Sequence, residues 1–413
     1  MTRLPVSLDD IKAAATVLDG EIQRTPMLPA PRLSAITGAE IFVKYENMQT
    51  TGSFKERGAR VKLAQLPEAD RRRGVVTLSA GNHAQAVAYH AARLGIPATI
   101  VMPETTPLVK VENTRAWGAT VVLYGETLYE SRERCDAIRA EQGLALVHPY
   151  DDPAVIAGQG TVALEMLAAV PDLDVLVVPI GGGGLVAGMA IAAKGLRPDI
   201  AIVGAEAALY PSFVNALDGG RRPIGGPTLA EGIAVKTVGD LTLPVVRALV
   251  DGIILVDEAA IERGVNAYAT LARSMAEGAG AAGLAAVLAE PARFAGKRVG
   301  LVLCGGNIDA RLLAAIMIRS LERDERIASL RITTADRPGL LGLIASRMGA
   351  LGANILEVSH GRLFLDVPAK GVTLDVTIET RDAAHTRAVI TALEADGLAP
   401  RRLERQSLGA MPA

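Results

Sequence analysis

The sequence predicts an α/β protein with mainly parallel sheets, followed by a smaller α+β domain at the C-terminus. Short runs rich in Val and Ile alternate with helix-like stretches from about residue 40 to about residue 310, as in parallel strands joined by helices. The runs are almost continuously apolar, which is typical of sheets covered on both faces. Half of the chain is apolar but only 3% is aromatic, so Ala, Val, Leu and Ile supply most of the predicted core.

The individual elements follow from this alternation of short apolar runs and longer periodic segments. The predicted strands are Ile41–Lys44, Gly74–Leu78, Ala98–Met102, Thr120–Tyr124, Val175–Pro179, Ala201–Ala205, Gly252–Val256 and Val299–Leu303. The predicted helices between them are Ala84–Leu94, Leu108–Trp117, Tyr129–Gln142, Val162–Val170, Glu258–Ala276 and Ala281–Leu288.

The pattern of the chain changes after the charged run Leu321–Arg326, which is either a solvated helix end or a linker. The elements that follow are predicted in the order β-α-β-β-α-β, which is ferredoxin-like. They are Ala328–Thr334, Pro338–Leu351, Asn354–His360, Val372–Glu379, Ala383–Glu394 and Leu398–Leu403. We therefore predict one domain over residues 1–325 and a second over residues 326–413.

Composition excludes several classes of protein. The 413 residues carry a net charge of −2, so no overall field favours nucleic acid or an acidic membrane. The two cysteines, Cys135 and Cys304, are too far apart in the sequence to indicate a disulfide framework or a cysteine-rich zinc site. The N-terminus lacks a secretory signal, and no apolar run approaches a membrane span. We expect a soluble, cytoplasmic protein.

The first candidate for chemistry is Lys55, within Thr51-Gly52-Ser53-Phe54-Lys55. Ser53 is predicted to cap a helix whose first turn contains Lys55. A helix N-terminus disfavours an ammonium group, which primes this lysine to become neutral, as Schiff-base formation requires. The alternative is an ordinary exposed lysine.

The second candidate is the turn Ser79-Ala80-Gly81-Asn82-His83, between a predicted strand and an Ala-rich helix. Backbone N–H groups at such a turn bind anions readily. Asn82 adds a side-chain donor. His83 is either a structural, hydrogen-bonded histidine or a catalytic one.

The third candidate is the run of four glycines at residues 181–184, which follows the predicted strand Val175–Pro179. Without Cβ atoms, such a backbone can wrap closely around a phosphate. A competing interpretation is a loose dinucleotide-binding pattern, Gly182-x-Gly184-x-x-Ala187, with Glu206 about twenty residues on. That pattern leaves an NAD-dependent oxidoreductase open as an alternative.

The fourth candidate is Cys304, at the end of the strand Val299–Leu303 and before Gly305-Gly306-Asn307. The last three candidates all follow predicted strands, and ligands of open α/β sheets bind at the carboxyl ends of strands. Taken alone, Cys304 is more typical of a small buried residue. Glu277 is a further candidate, with a helix-terminal carboxylate as its ordinary interpretation.

Together and in this order, these motifs resemble those of the fold-type-II pyridoxal-phosphate (PLP) enzymes. The stretch Tyr45–Ala59 (YENMQTTGSFKERGA) resembles the threonine dehydratase, or threonine ammonia-lyase, signature. This resemblance covers about residues 5–320. It implies a tryptophan synthase β-like fold with two open α/β subdomains, the smaller inserted at about residues 50–150.

The resemblance also implies roles for these residues. Lys55 would hold PLP covalently, Phe54 would pack near the ring and Asn82 would bond the ring hydroxyl oxygen. The amides of Gly181, Gly182, Gly183, Gly184 and Leu185 would hold the phosphate, and Cys304 would face the pyridine nitrogen. Glu277 is placed among the cofactor contacts. The turn formed by Ser79, Ala80, Gly81, Asn82 and His83 would bind the substrate carboxylate.

The activity implied is dehydration and deamination of L-threonine to 2-oxobutanoate and ammonia, with L-serine as a secondary substrate. Serine racemases have a second serine where this chain has Ala80, which disfavours racemisation. The residues after Glu206 offer no second carboxylate for the divalent-cation site of related enzymes, so we expect no divalent metal, and a monovalent ion held by backbone carbonyls stays an open alternative. Serine or hydroxyaspartate dehydration, racemisation, β-replacement and a catalytically inactive amino-acid sensor remain alternatives.

The C-terminal region resembles an ACT domain, with Asp336-Arg337-Pro338-Gly339 and Gly352-Ala353-Asn354 as its turns. Such domains sense amino acids and usually pair side by side. The resemblance therefore implies a homodimer or homotetramer, and an amino-acid effector bound near Pro338, Gly339 and Asn354. An ACT domain that serves assembly alone is the alternative.

Overall fold

The computed structural model describes residues 4–361 and 371–403. The chain divides into two compact units, Met1–Ile308 and Asp309–Ala413. The helix Ala310–Arg323 belongs to the second unit in this division. The observed boundary therefore lies before this helix, whereas the predicted one, after residue 325, lies behind it. Residues 362–370 and 404–413 of the predicted C-terminal domain lie outside the described residues.

The first unit contains two separate sheets. Eight of its strands agree closely with the predicted ones, whereas the short strands Met27–Pro29 and Ala145–Leu146 were not predicted. In chain order they are β1 (Met27–Pro29), β2 (Glu40–Tyr45), β3 (Val75–Leu78), β4 (Ala98–Met102), β5 (Thr120–Leu123), β6 (Ala145–Leu146), β7 (Val175–Pro179), β8 (Ala201–Ala207), β9 (Gly252–Val256) and β10 (Arg298–Leu303). The larger sheet has the order β1-β2-β10-β7-β8-β9, and the smaller has the order β5-β4-β3-β6. All neighbours are parallel except β1 and β2.

Helices surround both sheets of this unit. They are α1 (Leu8–Leu18), α2 (Pro31–Thr37), α3 (Lys55–Ala64), α4 (Glu68–Arg73), α5 (Asn82–Arg93), α6 (Leu108–Ala116), α7 (Leu128–Gln142), α8 (Pro153–Ala169), α9 (Gly184–Leu196), α10 (Ser212–Asp218), α11 (Thr242–Leu249), α12 (Glu258–Leu271), α13 (Gly278–Ala289) and α14 (Pro291–Phe294), with short 3-10 helices at Glu46–Met48 and Glu231–Ile233. No helix within the described ranges is long and apolar enough to cross a membrane.

The core of the first unit is aliphatic, as the composition predicts. Met166, Leu176, Val186 and Ile202 lie fully buried where α8 and α9 pack against the larger sheet. Separate clusters on the smaller sheet contain Val87 and Ile100, and Val101 and Ile138. Burying these side chains provides most of the stabilisation, at roughly 25 cal/mol per Å² of apolar surface.

The second unit has the predicted ferredoxin-like order. It contains α15 (Ala310–Arg323), β11 (Ile327–Ala335), α16 (Leu340–Ala350), β12 (Asn354–Gly361), β13 (Gly371–Glu379), α17 (Ala383–Ala395) and β14 (Pro400–Arg402). The sheet is antiparallel with the order β12-β13-β11-β14. Leu330, Ile344, Val376 and Val389 form its buried core.

Two predicted helix boundaries are wrong by more than three residues. Helix α8 begins at Pro153 rather than residue 162, with the Asp152 side chain accepting the Ala154 and Val155 amides. Gly158 and Gly160 weaken the local helical signal, because glycine is a poor helix former. Helix α12 ends at Leu271 rather than residue 276.

The predicted cap of the lysine helix is also wrong. Phe54, not Ser53, occupies the N-cap of α3, and no side chain caps this end. The Ser53 backbone instead forms an antiparallel bridge with Gly305. Its hydroxyl is buried with no partner within the described chain.

Candidate active site

The turn before Lys55 is hydrogen-bonded to the segment after strand β10. The Phe54 amide donates to the Cys304 carbonyl at 3.0 Å, and the Gly306 amide donates to the Gly52 carbonyl at 3.0 Å. These bonds hold the first residue of α3 at the carboxyl end of the larger sheet, where parallel strands place their ligands.

Lys55 has the environment of a lysine that becomes neutral easily. Its Nζ donates to the Pro149 carbonyl oxygen at 2.6 Å and lies 5.2 Å from the centre of the Phe54 ring. Burial lowers the pKa of Lys55 to about 8, although the Glu277 carboxylate acts in the opposite direction. The predicted lowering is therefore present, with burial as its largest cause.

The turn at Ser79–His83 meets the lysine segment through Asn82, the first residue of α5. Asn82 Nδ2 donates to Glu277 Oε1 at 2.7 Å, and its Oδ1 accepts from Asn307 Nδ2 at 2.8 Å. His83 Nε2 bonds the Val147 carbonyl at 2.9 Å. Burial lowers the pKa of His83 to about 3, so this histidine is neutral and its Nε2 carries the proton.

The glycine loop lies between β7 and α9. Gly183 has φ of +91°, which favours glycine. A Cβ at Gly182 would lie 2.2 Å from the Tyr150 ring, so that position has no room for a side chain. None of the amides from Gly181 to Leu185 donates a backbone hydrogen bond within the described turns and loops. The loop is thus a cradle of free donors at a helix N-terminus, suited to a phosphate.

Glu277 and Cys304 complete the cluster. Burial raises the pKa of Glu277 to about 7, although the hydrogen bond from Asn82 acts against this rise. Cys304 is 3% exposed. Its burial raises the pKa of the thiol, with the Glu277 carboxylate acting in the same direction. Cys304 is therefore a neutral thiol at physiological pH.

A lysine with a lowered pKa beside a phosphate cradle suits a covalently held phosphorylated aldehyde. A comparison with known protein families agrees with this geometry. The family described as pyridoxal-phosphate dependent enzyme matches residues 18–305 of the chain. The chain belongs to this family. This PLP-dependent enzyme therefore uses pyridoxal 5'-phosphate as its cofactor.

Three individual proteins are similar to this chain over three quarters of its length or more. The L-threonine ammonia-lyase of Thermotoga maritima is 43% identical over 394 residues, covering 95% of this chain and 98% of that protein. The structure of maize serine racemase has a TM-score of 0.71 and 35% identity, covering 78% of this chain and 99% of that one. The processed form of a threonine deaminase from Solanum lycopersicum has a TM-score of 0.71 and 35% identity, covering 75% of this chain and 86% of that one.

The residues of this PLP-dependent enzyme fit the cofactor. The free amides of the glycine loop provide donors for a phosphate, Lys55 provides an amine with a lowered pKa and Cys304 provides a neutral thiol. By contrast, Glu206 does not fit the dinucleotide alternative. Its buried carboxylate accepts the amides of Phe213 at 2.7 Å and Val214 at 3.2 Å, so it caps α10 and does not bind a ribose.

Sequence reasoning gave no role to three groups of this site. The Pro149 carbonyl and the Tyr150 ring come from the loop after β6, and no sequence motif marks them. Asn307 ends the Cys-Gly-Gly-Asn run, and that position after a strand is the signal that could have found it.

The predicted effector residues lie in the second unit. Pro338 is exposed, Gly339 is the N-cap of α16 with φ of +83°, and Asn354 begins strand β12. Over residues 4–361 and 371–403, no group of three or more His, Cys, Asp and Glu side chains is placed to hold a metal ion.

Proposed function

We propose that this PLP-dependent enzyme converts L-threonine to 2-oxobutanoate and ammonia, with L-serine converted to pyruvate as a secondary reaction. The observation that carries the proposal is the juxtaposition of Lys55, the Asn82 turn and the glycine loop at the carboxyl ends of three strands. The name of the Thermotoga maritima relative, which aligns with 95% of the chain, supports the choice of threonine.

The chain orients its ligands through fixed donors. The glycine-loop amides would bind the phosphate of PLP, and Cys304 would offer a neutral partner for its pyridine nitrogen. Asn82 would donate to the ring hydroxyl oxygen. The turn Ser79–His83 presents backbone N–H groups to the substrate carboxylate at the start of α5.

Lys55 moves the proton. When bound, PLP would supply an electron sink that acidifies the α-hydrogen of the substrate amino acid. The neutral Nζ of Lys55 then accepts the α-proton, because burial favours the uncharged amine. The β-hydroxyl leaves, and the removed proton and hydroxyl amount to one water. Water later hydrolyses the released enamine to the 2-oxo acid and ammonia.

Serine racemisation is a second candidate function, favoured by the likeness to maize serine racemase. Racemisation requires a proton donor on the face of the α-carbon opposite Lys55. The residue that resembles the racemase donor position is Ala80, whose methyl group carries no proton that it could transfer. Dehydration is therefore the function that this site supports best.

The proposed activity is tested by measuring 2-oxo acid release from threonine, serine and 3-hydroxyaspartate in steady state. We expect threonine to give the highest kcat/KM. Conversion of L-serine to D-serine without pyruvate would overturn the proposal, as would higher turnover of 3-hydroxyaspartate than of threonine.

We further propose that the second unit is an ACT domain that binds an amino acid near Gly339 and Asn354, and that the chain forms a homodimer or homotetramer. Its ferredoxin-like order supports this assignment. Edge strand β12 exposes Leu356 and Val358 by 48% and 39%, which is compatible with a paired surface. The cytoplasmic location stays a prediction.

Calorimetric titration of the full chain with each of the twenty amino acids tests the regulatory proposal. We expect one of them to bind and to change activity, and Asn354→Ala to reduce that response while leaving basal turnover intact. Absence of binding outside the active site, with activity insensitive to every amino acid, would overturn it. Sedimentation of the full chain tests the assembly, and a monomer would contradict it.

A further inference from the structure

Asn307 joins two segments that carry the proposed cofactor contacts. Its Nδ2 donates to the Thr51 carbonyl oxygen at 2.8 Å and to Asn82 Oδ1 at 2.8 Å. Thr51 lies in the turn before Lys55, whereas Asn82 begins α5. One side-chain amide therefore ties the lysine turn to the turn proposed to bind the substrate carboxylate.

The donor and acceptor ends of both amides follow from this arrangement. A backbone carbonyl can only accept, so the Thr51 oxygen requires the Nδ2 end of Asn307. The same Nδ2 faces Asn82, which must present its oxygen there. Asn82 Nδ2 is consequently directed to the other side, where it donates to Glu277.

Close packing holds Asn307 in this orientation. Gly52 has φ of +76°, and a Cβ at that position would lie 2.5 Å from Asn307 Oδ1. The neighbouring Gly306 amide donates to the Gly52 carbonyl. The asparagine side chain thus lies directly against the glycine of the lysine turn.

We infer that Asn307 is a positioning residue, which fixes the side-chain amide of Asn82 so that its N–H donors face the ring hydroxyl oxygen of bound PLP. The inference rests on the proposed contact between Asn82 and that oxygen. It does not depend on which amino acid is the substrate. Without Asn307, the bond from Asn82 Nδ2 to Glu277 is the one described side-chain contact left to oppose rotation of the Asn82 amide, and that rotation would present an oxygen to an oxygen.

The test measures the affinity of the apoenzyme for PLP by equilibrium dialysis. Asn307→Asp keeps the shape of the side chain but replaces the donor with acceptors, which favours the reversed Asn82 amide. We expect Asn82→Ala and Asn307→Asp each to weaken PLP binding by about tenfold, the effect of losing one good hydrogen bond. Asn307→Ala, which imposes no reversal, should weaken binding by less.

The matched control is Asn47→Asp. Asn47 donates to Ser274 Oγ and to the Met275 carbonyl, both at 2.9 Å, and no hydrogen bond described for its side chain joins it to Asn82. We expect this variant to lose thermal stability while keeping its PLP affinity. The double variant Asn82→Ala/Asn307→Asp should bind PLP as Asn82→Ala does, because Asn307 acts through Asn82.

The outcomes separate the two claims. If Asn82→Ala leaves PLP affinity unchanged, the proposed Asn82 contact fails, and the inference fails with it. If Asn82→Ala weakens binding but Asn307→Asp behaves like Asn47→Asp, only the inference fails. Additive losses in the double variant would also overturn it, because Asn307 would then act independently of Asn82.

Discussion

The Nζ of Lys55 donates a hydrogen bond to the carbonyl oxygen of Pro149 at 2.6 Å. This bond directs the Lys55 amine toward the loop after β6. Tyr150 follows Pro149 in that loop, and its ring lies against the glycine loop. The arrangement connects the candidate base with the candidate phosphate cradle through consecutive residues of one segment.

Replacing Lys55 with alanine should abolish the reaction. The variant lacks both the proposed covalent attachment of PLP and the proposed base, so we expect kcat to fall by at least about 10³-fold. The visible absorption of the bound cofactor should also change. Lys194→Ala is the control, because Lys194 pairs with Asp251 at 3.0 Å and should keep full activity. Substantial turnover by the Lys55 variant would contradict the assignment.

The recombination of apoenzyme with PLP should depend on pH through Lys55. Only the neutral amine attacks an aldehyde, so the rate should rise with pH around the pKa of about 8. The Glu277 carboxylate stabilises the ammonium form, and Glu277→Gln should therefore move the midpoint to lower pH. Stopped-flow absorbance between pH 6 and 10 would measure both (about two pH units either side of that pKa). A midpoint that moves upward would refute the assigned interaction.

Glu46 should make the fold sensitive to acid. Burial raises the pKa of Glu46, but the bidentate Arg57 guanidinium more than offsets this and holds it at about 2, below the ordinary 4.5. Its stabilisation is thus fully present above pH 4.5 and is lost as the pH falls toward 2. Glu46→Gln should lower the free energy of unfolding at neutral pH by about 3 kcal/mol.

Urea unfolding between pH 2 and 7 would check the Glu46 prediction (the range is about that of the titration). The control is Glu68→Gln, since Glu68 pairs with Arg72 on the surface at 3.1 Å and should contribute little. Equal effects of the two substitutions would show that burial of the Glu46–Arg57 pair is unimportant.

Gly183→Ala should impair cofactor binding. The new Cβ would lie 2.5 Å from Phe213 Cζ, in a backbone with φ of +91°, so the loop must move. We expect PLP affinity to fall by about tenfold or more, equivalent to losing one phosphate hydrogen bond. Gly219→Ala is the matched control, because Gly219 has φ of +71° but nothing within 4 Å of its Cβ position. It should cost about 1 kcal/mol of stability and leave PLP binding unchanged.

Ala80→Ser should introduce racemisation. The added hydroxyl supplies a proton donor at the position that resembles the donor of serine racemases. We expect D-serine to form from L-serine at a rate that the parent enzyme does not reach, with pyruvate formation reduced. Chiral chromatography of the amino acid pool measures the change. An unchanged D-serine yield would remove Ala80 as the explanation for reaction choice.

Regular elements and motifs were predictable to different degrees. Strands such as Val175–Pro179 and Gly252–Val256 were predicted with their observed bounds, because buried parallel strands are distinct apolar runs. The motifs containing Lys55, Asn82 and the four glycines pointed to the candidate site, because each carries backbone or side-chain groups of its own that suit a ligand. The Pro149 carbonyl could not be predicted, since every residue has one and only the fold selects it.

The first half of helix α8 could not be predicted from the local sequence. Its first half contains Gly158 and Gly160, which local propensity counts against a helix. In the structure, Cβ atoms at these positions would lie 2.7 Å from the Arg57 carbonyl and 2.8 Å from the Gly188 carbonyl. Tertiary packing requires glycine there, and that requirement cannot be read from the local sequence.

The contact between Gly158 and α3 also limits how the enzyme can move. Because the two backbones touch without intervening side chains, and Arg57 is anchored by Glu46 and Glu165, the lysine-bearing helix has little freedom to slide or roll. Any movement of the Lys55 amine during the reaction must then come from rotations about the bonds of its flexible side chain. Helix α3 therefore keeps its position during turnover, and the movement is confined to the aliphatic side chain of Lys55.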